Sequence, residues 1–310
     1  MKILVTGGAG FIGSHIADAY INQGHQVIII DNLSTGVSAN LNSQAKFYEL
    51  DIRSAEAAQV IRTQAPDLIN HHAAQIRVDI AAKDPIFDAQ INILGFLNLL
   101  QAAKDVKSVK KIILASTGGA MYGPKPTPFV ETMLPQPLSP YGISKLADER
   151  YLYFYHQQYG IDYVALRYAN VYGPRQNPHG EAGVVAIFCN NFLTGKPPVI
   201  NGDGQQTRDY VYISDVVIAN LLATEKNIIG EFNIGTAIET DVNQIYDLVR
   251  QEFGSDKQAF HGPPRPGEQP TSSLDYSLAQ AKLGWNPTVS LQDGIRLTAD
   301  FFKHQKSLTT

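Results

Sequence analysis

A short apolar run leads straight into a cluster of glycines at the start of this chain. Lys2-Ile3-Leu4-Val5 reads as a buried strand, Thr6-Gly7-Gly8-Ala9-Gly10-Phe11-Ile12-Gly13 as a tight turn, and Ile16-Ala17-Asp18-Ala19-Tyr20-Ile21 as a helix. Few backbones satisfy that order. Gly7 and Gly8 can take angles closed to residues with a Cβ. Gly10 lets an anion approach the backbone and the helix N-terminus behind it, and Gly13 lets the helix lie close on the strand. The spacing fits a dinucleotide-binding turn both as Gly8-x-Gly10-x-x-Gly13 and as Gly7-x-x-Gly10-x-x-Gly13. A second apolar strand, Gln26 to Ile30, ends in Asp31, about 20 residues on, where an acid grips the adenosine ribose diol. An acid there repels a 2′-phosphate, so NAD rather than NADP is the expected cofactor. The expected fold is therefore α/β, a Rossmann-type doubly wound parallel sheet.

Further strands are expected at Lys46–Leu50, Asp67–His71, Val109–Ser116 and Tyr163–Tyr168. Each delivers polar residues to the carboxyl edge of the sheet, where ligands bind in open α/β folds. Asp51 is placed either to bond the adenine amino group or to cap a helix over 53–64. The adjacent pair His71-His72 does not read as a zinc site, because neighbouring strand residues point to opposite faces. The small pair Ala73-Ala74 suits close approach of the nicotinamide half. A helix over 85–104 is apolar around much of its circumference, which fits burial on two sides or contact with a partner subunit. Asn92 lies inside it.

Ser139-Pro140-Tyr141-Gly142-Ile143-Ser144-Lys145 opens another helix, with Ser139 as cap and Pro140 in the first turn. Tyr141 and Lys145 share a helical face. A free phenol is a poor base at neutral pH. An ammonium beside it, with the positive charge of an oxidised nicotinamide, lowers its pKa and makes it a usable acid/base. Of the 15 tyrosines, only Tyr141 has lysine four residues later.

From Asn170 the α/β alternation changes character. Val171 to Gly180 reads as loop, a helix follows over 183–193, another starts at Asp215, and further strands lie at Tyr210–Tyr212 and Gly230–Ile234. The expected domains are a Rossmann unit over 1–169, to which 209–235 returns, and a smaller α/β C-terminal lobe over 170–208 and 236–310 for the substrate. Arg208 and Arg265 together could bind a diphosphate.

Composition excludes several classes. The 310 residues carry a net charge of −4, so no basic field attracts nucleic acid. The longest apolar runs read as strand-sized, and the first core strand begins within two residues of Met1, so neither a membrane span nor a signal peptide is expected. Cys189 is the single cysteine, so no internal disulfide can form. A cytoplasmic protein is the expectation.

Thr6 to Gly13, Asp31-Asn32, Asp51-Ile52, Tyr141-x-x-x-Lys145 and Arg167-Tyr168-x-Asn170-Val171-Tyr172-Gly173-Pro174 resemble the extended short-chain dehydrogenase/reductase family, in its sugar-nucleotide branch, over residues 1 to about 290. The resemblance implies 4-epimerisation of a UDP-sugar (UDP-glucose or UDP-galactose) through a transient 4-keto intermediate, with NAD retained through the cycle. It implies Tyr141 as acid/base and Lys145 as the residue that bonds the nicotinamide ribose. NAD would lie against Gly7, Gly10, Phe11, Ile12 and Gly13, then Asp31, Asn32, Ser34 and Gly36. Asp51 and Ile52, Ala73, Ala74 and Gln75, and Asn92, Tyr168, Tyr141 and Lys145 complete that set. Asn170, Val185, Arg208 and Arg265 would hold the UDP, and two long helices would form a dimeric four-helix bundle.

One departure stands out. The family places Ser or Thr four residues before the tyrosine of its Tyr-Gly pair, here Tyr122, and that position is Gly118. Thr117 or Ser116, or a water, would have to substitute. Relatives that dehydrate carry an Asp-Glu pair where Gly119-Ala120 stands, and decarboxylating ones a Glu, so simple epimerisation gains. A UDP-glucuronate epimerase would need a cation for the sugar carboxylate, with Arg77 and Arg175 as sources. A non-catalytic NAD-binding protein would have no use for the Tyr141–Lys145 pair.

Overall fold

The computed structural model describes residues 1–179, 183–264 and 269–309, and the side chains up to residue 305. Strands β1 (Lys2–Thr6), β2 (Gln26–Asp31), β3 (Lys46–Glu49), β4 (Leu68–His71), β5 (Lys111–Thr117) and β6 (Asp162–Tyr168) belong to one sheet. After β6 come β7 (Asn170–Tyr172), β8 (Val199–Asn201), β9 (Thr207–Arg208), β10 (Tyr210–Tyr212) and β11 (Gly230–Ile234). The main sheet has seven strands in the order β11-β6-β5-β4-β1-β2-β3, and every pair in it is parallel. Strand order reverses between β1 and β4, and such a switch point opens a crevice at the carboxyl ends of the strands. The expected doubly wound Rossmann-type fold is thus observed.

Helices cover both faces. On one lie α1 (Phe11–Asn22) and, from further along the chain, the helix Ile213–Glu225; their apolar sides meet Ile3, Val5, Ile29 and Val164. On the other lie α2 (Ala55–Gln64), the helical run α3 (Val78–Lys83), α4 (Pro85–Ala89) and α5 (Gly95–Ala103), and α6 (Pro140–Tyr159). They bury Leu4, Ile28, Ile69, Ile112 and Leu114 beneath Phe96, Leu99, Leu152 and Tyr155. A single π turn, Gln90–Leu94, joins α4 to α5 without breaking the helix. The run Pro85–Ala103 has a mean hydropathy of 1.2, long and apolar enough by composition to cross a membrane. That differs from the expectation of strand-sized apolar runs. Its inner side packs on the sheet, but Ile86 and Leu94 stay exposed.

A third core gathers beyond the sheet. Helix α7 (Val184–Thr194), the helix Ile213–Glu225 now labelled α8, α9 (Val242–Glu252), α10 (Ser277–Leu283) and α11 (Leu291–Thr309) follow in order. Phe188, Cys189, Ile245, Val249, Ile295 and Phe302 fill this core, and Phe11 and Ile12 of the glycine turn pack against its edge. Val171 and Tyr172, expected as loop, are strand: β7 pairs in parallel with β10. Three residues ahead of Gly173-Pro174 are too few for alternation to show. The helix expected from Asp215 starts two residues earlier, at Ile213.

Candidate active site

The glycine turn is built to keep side chains out. Gly7 takes φ +71°, and a Cβ there would lie 2.6 Å from the amide nitrogen of Ala73. A Cβ on Gly13 would lie 2.3 Å from the carbonyl oxygen of Gly7. Gly10 caps α1 with no side-chain bond of its own, which leaves the first-turn amides facing the turn. A diphosphate suits donors so arranged. Asp31 braces the turn from β2: its Oδ2 accepts from the amide of Ala9 at 3.0 Å, and its Oδ1 from the amide of Leu33 at 2.8 Å. Leu33 pays for that bond with a left-handed φ of 55°, and Gly36 passes close enough that a Cβ would touch Asp31 at 2.8 Å. Asn32 donates to Asp51 and receives the amide of Ser34. The residues present therefore fit a dinucleotide, with Asp31 and Asp51 as the residues that would adjoin its adenosine.

Asp51 is not the helix cap. Helix α2 begins at Ala55, and Ser54 caps it by accepting from the amide of Ala57. Asp51 instead holds Arg53 through Nε at 2.9 Å and Nη2 at 2.7 Å. Those bonds draw its carboxyl down to about 2. Ile52 is buried, and its carbonyl accepts from Asn98 of α5.

The end of β4 is set by one hydroxyl. Thr6 Oγ1 accepts from the amides of His72 and Ala73, at 3.2 and 3.3 Å, so its own proton goes to Nδ1 of His71 at 2.7 Å. His71 is then the Nε2–H tautomer, stacked on Phe96. Burial, with Lys145 nearby, pushes both histidines well below the usual imidazole value, His72 to about 3. His72 bonds the hydroxyl of Tyr168, which also receives Asn220. Beyond Ala73-Ala74, the π turn carries Asn92 inward. Its side chain bonds both the amide and the carbonyl of Gln75, and Asp88 accepts from Gln75, Asn92 and Ser144 of α6. A π turn in an α-helix often marks a functional position.

Helix α6 begins as the sequence implies, with Ser139 accepting from the amide of Gly142 and Pro140 in the first turn. Tyr141 and Lys145 lie at its start, facing the carboxyl edge of the sheet. Lys145 is buried, and its Nζ lies 3.7 Å from Oδ2 of the fully buried Asp148. Burial lowers the Lys145 pKa, while Asp148 and Asp88 oppose the fall. Tyr141 is raised above the ordinary phenol range, first by burial and then by Asp88 and Asp148. The depression expected from Lys145 together with an oxidised nicotinamide is thus not what the protein alone shows, because burial leads the rise.

Of the two substitute hydroxyls, Ser116 is committed elsewhere: it is buried and donates to Oε1 of Glu149 at 2.6 Å. Glu149 in turn receives Arg167 through two bonds, at 2.9 and 2.6 Å, and Arg167 reaches the hydroxyl of Tyr122 at 2.8 Å. Ser116 is therefore part of a buried network with Glu149, Arg167 and Tyr122. Thr117 is partly exposed and accepts only the amide of Ala120, at 3.3 Å. Gly118 is glycine for a packing reason: a Cβ would lie 2.4 Å from Cδ1 of Leu274.

Residues expected on the UDP are placed unequally. Asn170 donates to the carbonyl of Asp209 at the mouth of the crevice. Arg208, on β9, donates to the carbonyl of Thr207. Val185 lies in the first turn of α7 with its side chain enclosed in the third core. Arg265 lies outside the described residues. Arg77 pairs with Asp79, and Arg175 with Asp18 on α1. Asp88, Asp148, Glu149 and Ser144 were not picked out from sequence. Ser144 lies one residue before Lys145, a position that could have drawn attention; the carboxylates carry no spacing signal.

Residues 3–235 match the family model described as NAD dependent epimerase/dehydratase family. The chain is 42% identical to a UDP-glucose 4-epimerase of Mycolicibacterium smegmatis, over 98% of this chain and 99% of that one. The crystal structure of Thermotoga maritima UDP-glucose 4-epimerase with UDP-glucose superposes with a TM-score of 0.96, at 50% identity, covering 99% of this chain and 100% of that one. The Thermus thermophilus UDP-glucose 4-epimerase complex with NAD gives a TM-score of 0.92 at 43% identity, covering 98% and 99%.

Proposed function

The chain belongs to the NAD dependent epimerase/dehydratase family, and from that premise we propose that it is a cytoplasmic UDP-glucose/UDP-galactose 4-epimerase that keeps NAD bound. The observation that carries the reading is Tyr141 and Lys145 together, one helical turn apart, at the start of α6. Relatives with this activity over nearly the whole chain support it.

Bound NAD supplies a reversible hydride acceptor and, while oxidised, a positive charge beside the phenol. Tyr141 removes the proton of the sugar 4-hydroxyl, its phenolate being favoured by that charge and by Lys145. Thr117 donates a hydrogen bond to the sugar oxygen as it gains carbonyl character. With NAD bound, Lys145 would bond the nicotinamide ribose. Asn92 and Asp88 fix Gln75 in the loop after β4, and that loop would adjoin the nicotinamide half. Asn170, Arg208 and Arg265 hold the UDP, so the 4-keto sugar can turn and present its other face before Tyr141 returns the proton.

We place the cofactor on residues 1–169 and 209–235, and the nucleotide on 170–208 and 236–310. Arg77 and Arg175 each already face a carboxylate, which favours a neutral hexose over glucuronate. We also propose a homodimer through α4–α6, whose outer faces expose Ile86, Leu94, Ile143, Tyr151 and Phe154.

The test offers purified protein UDP-glucose, UDP-galactose, UDP-glucuronate and their N-acetyl forms without added NAD. Interconversion of the neutral hexoses is expected, and turnover of glucuronate alone changes the substrate. Tyr141→Phe should retain NAD yet lose at least about two orders of magnitude in turnover; an active variant sinks the mechanism.

A further inference from the structure

We propose that Asp148 is a positioning residue, which competes with Tyr141 for the Lys145 ammonium and so sets the pH at which the tyrosine begins to act as a base. The inference rests on the acid/base reading of Tyr141. Tyr141, Lys145 and Asp148 stand at i, i+4 and i+7 of α6, one face of one helix. Asp148 is fully buried and Lys145 is 2% exposed, with 3.7 Å between carboxylate and ammonium. Neither oxygen of Asp148 has a hydrogen-bond partner.

The neighbouring charges are otherwise answered. From α6 itself, Glu149 is held by two bonds from Arg167 of β6 and one from Ser116 of β5. From α4, Asp88 accepts three hydrogen bonds, from Gln75, Asn92 and Ser144. At the end of β4, His71 and His72 are pushed toward the neutral form. Asp148 alone among these carboxylates is compensated only by Lys145. An isolated buried carboxylate is strongly disfavoured, so the pair holds together. One ammonium therefore serves two acids, Asp148 and the Tyr141 phenol, where water screens little.

The electrostatics agree with the geometry. Burial raises the Asp148 pKa and Lys145 opposes that rise, and the Asp148 charge is among the groups that raise Tyr141. Removing the carboxylate leaves the ammonium to the phenolate. In Asp148→Asn, Asp88 and Glu149 remain to oppose the burial that lowers the Lys145 pKa.

The experiment uses NAD-loaded Asp148→Asn, which removes the charge and keeps the shape. The pH dependence of kcat/KM is measured, together with the ultraviolet phenolate band against a Tyr141→Phe blank. The acid limb and the phenolate band should both move to lower pH, by about one unit or more, a tenfold change in the equilibrium. Bound NAD should be unchanged, and Asp148→Glu, which restores the charge, should return the profile toward the parent. A limb that stays in place, or moves to higher pH, overturns the inference. Should Asp148→Asn fail to fold, Asp148→Ser removes the same charge with less bulk and carries the same expectation. An active Tyr141→Phe enzyme would instead overturn the base reading itself; an inactive one with unmoved Asp148 profiles defeats only the role of Asp148.

Discussion

At residue 118 a side chain and Leu274 compete for the same space. With Cδ1 of Leu274 2.4 Å from a built Cβ, Gly118→Ser should lose about 1–3 kcal/mol, the usual effect of overpacking. Gly118→Ser with Leu274→Ala should recover part of that, as read by chemical unfolding. Thr117→Val should lower kcat about tenfold, the effect of one hydrogen bond withheld from the transition state; no change would leave a water as the donor. The histidines at the end of β4 give a pH signature. His71 and His72 have folded pKa values depressed below 6.5. Unfolded chains bind those protons first, so stability is full above about pH 6.5 and falls below it, by up to about 1.4 kcal/mol per pH unit for each histidine. Thermal unfolding from pH 7.5 to 5 should show the fall, and His71→Gln should flatten it. Tyr141 and Lys145 were legible because one helical period separates them. Asp88, Asp148 and Glu149 were not, because a carboxylate in a helix reads as a solvated face until three elements close over it.

Among the elements, the glycine turn and its strands could be read directly, since alternation, glycine spacing and a terminal acid coincide within thirty-one residues. The π turn Gln90–Leu94 could not. It has no composition of its own, and Asn92 in an apolar helix says only that some polar partner exists. The partner is the Gln75 backbone. Asn92→Leu should leave that amide and carbonyl unpaired and destabilise the fold by about 1–3 kcal/mol, with NAD lost more readily on gel filtration. Strand β7 was hidden by its length and by the Gly173-Pro174 that follows. The true cap of α2 was hidden by Asp51, which is equally suited to capping but is spent on Arg53.

For the molecule as a whole, the outer sides of α4–α6 carry several exposed apolar residues, with Ile86 70% and Leu94 57% exposed. Leu94→Glu with Phe154→Glu should yield a monomer by sedimentation if that face joins two copies; an unchanged mass would remove the dimer proposal. The sheet holds a separate lesson. Its outermost strand, β11, comes from residues 230–234 and lies against β6, after the chain has already travelled through β7–β10 and α7–α8. The boundary at residue 169 is therefore no place to cut. A fragment ending there would leave the hydrogen-bonding edge of β6 open and strip Phe232, Ile234 and α8 from Val164 and Leu166. Such an edge recruits other chains. Synthesis on the ribosome meets the same state in passing, so the nascent protein carries a sheet without its seventh strand until more than sixty further residues have emerged.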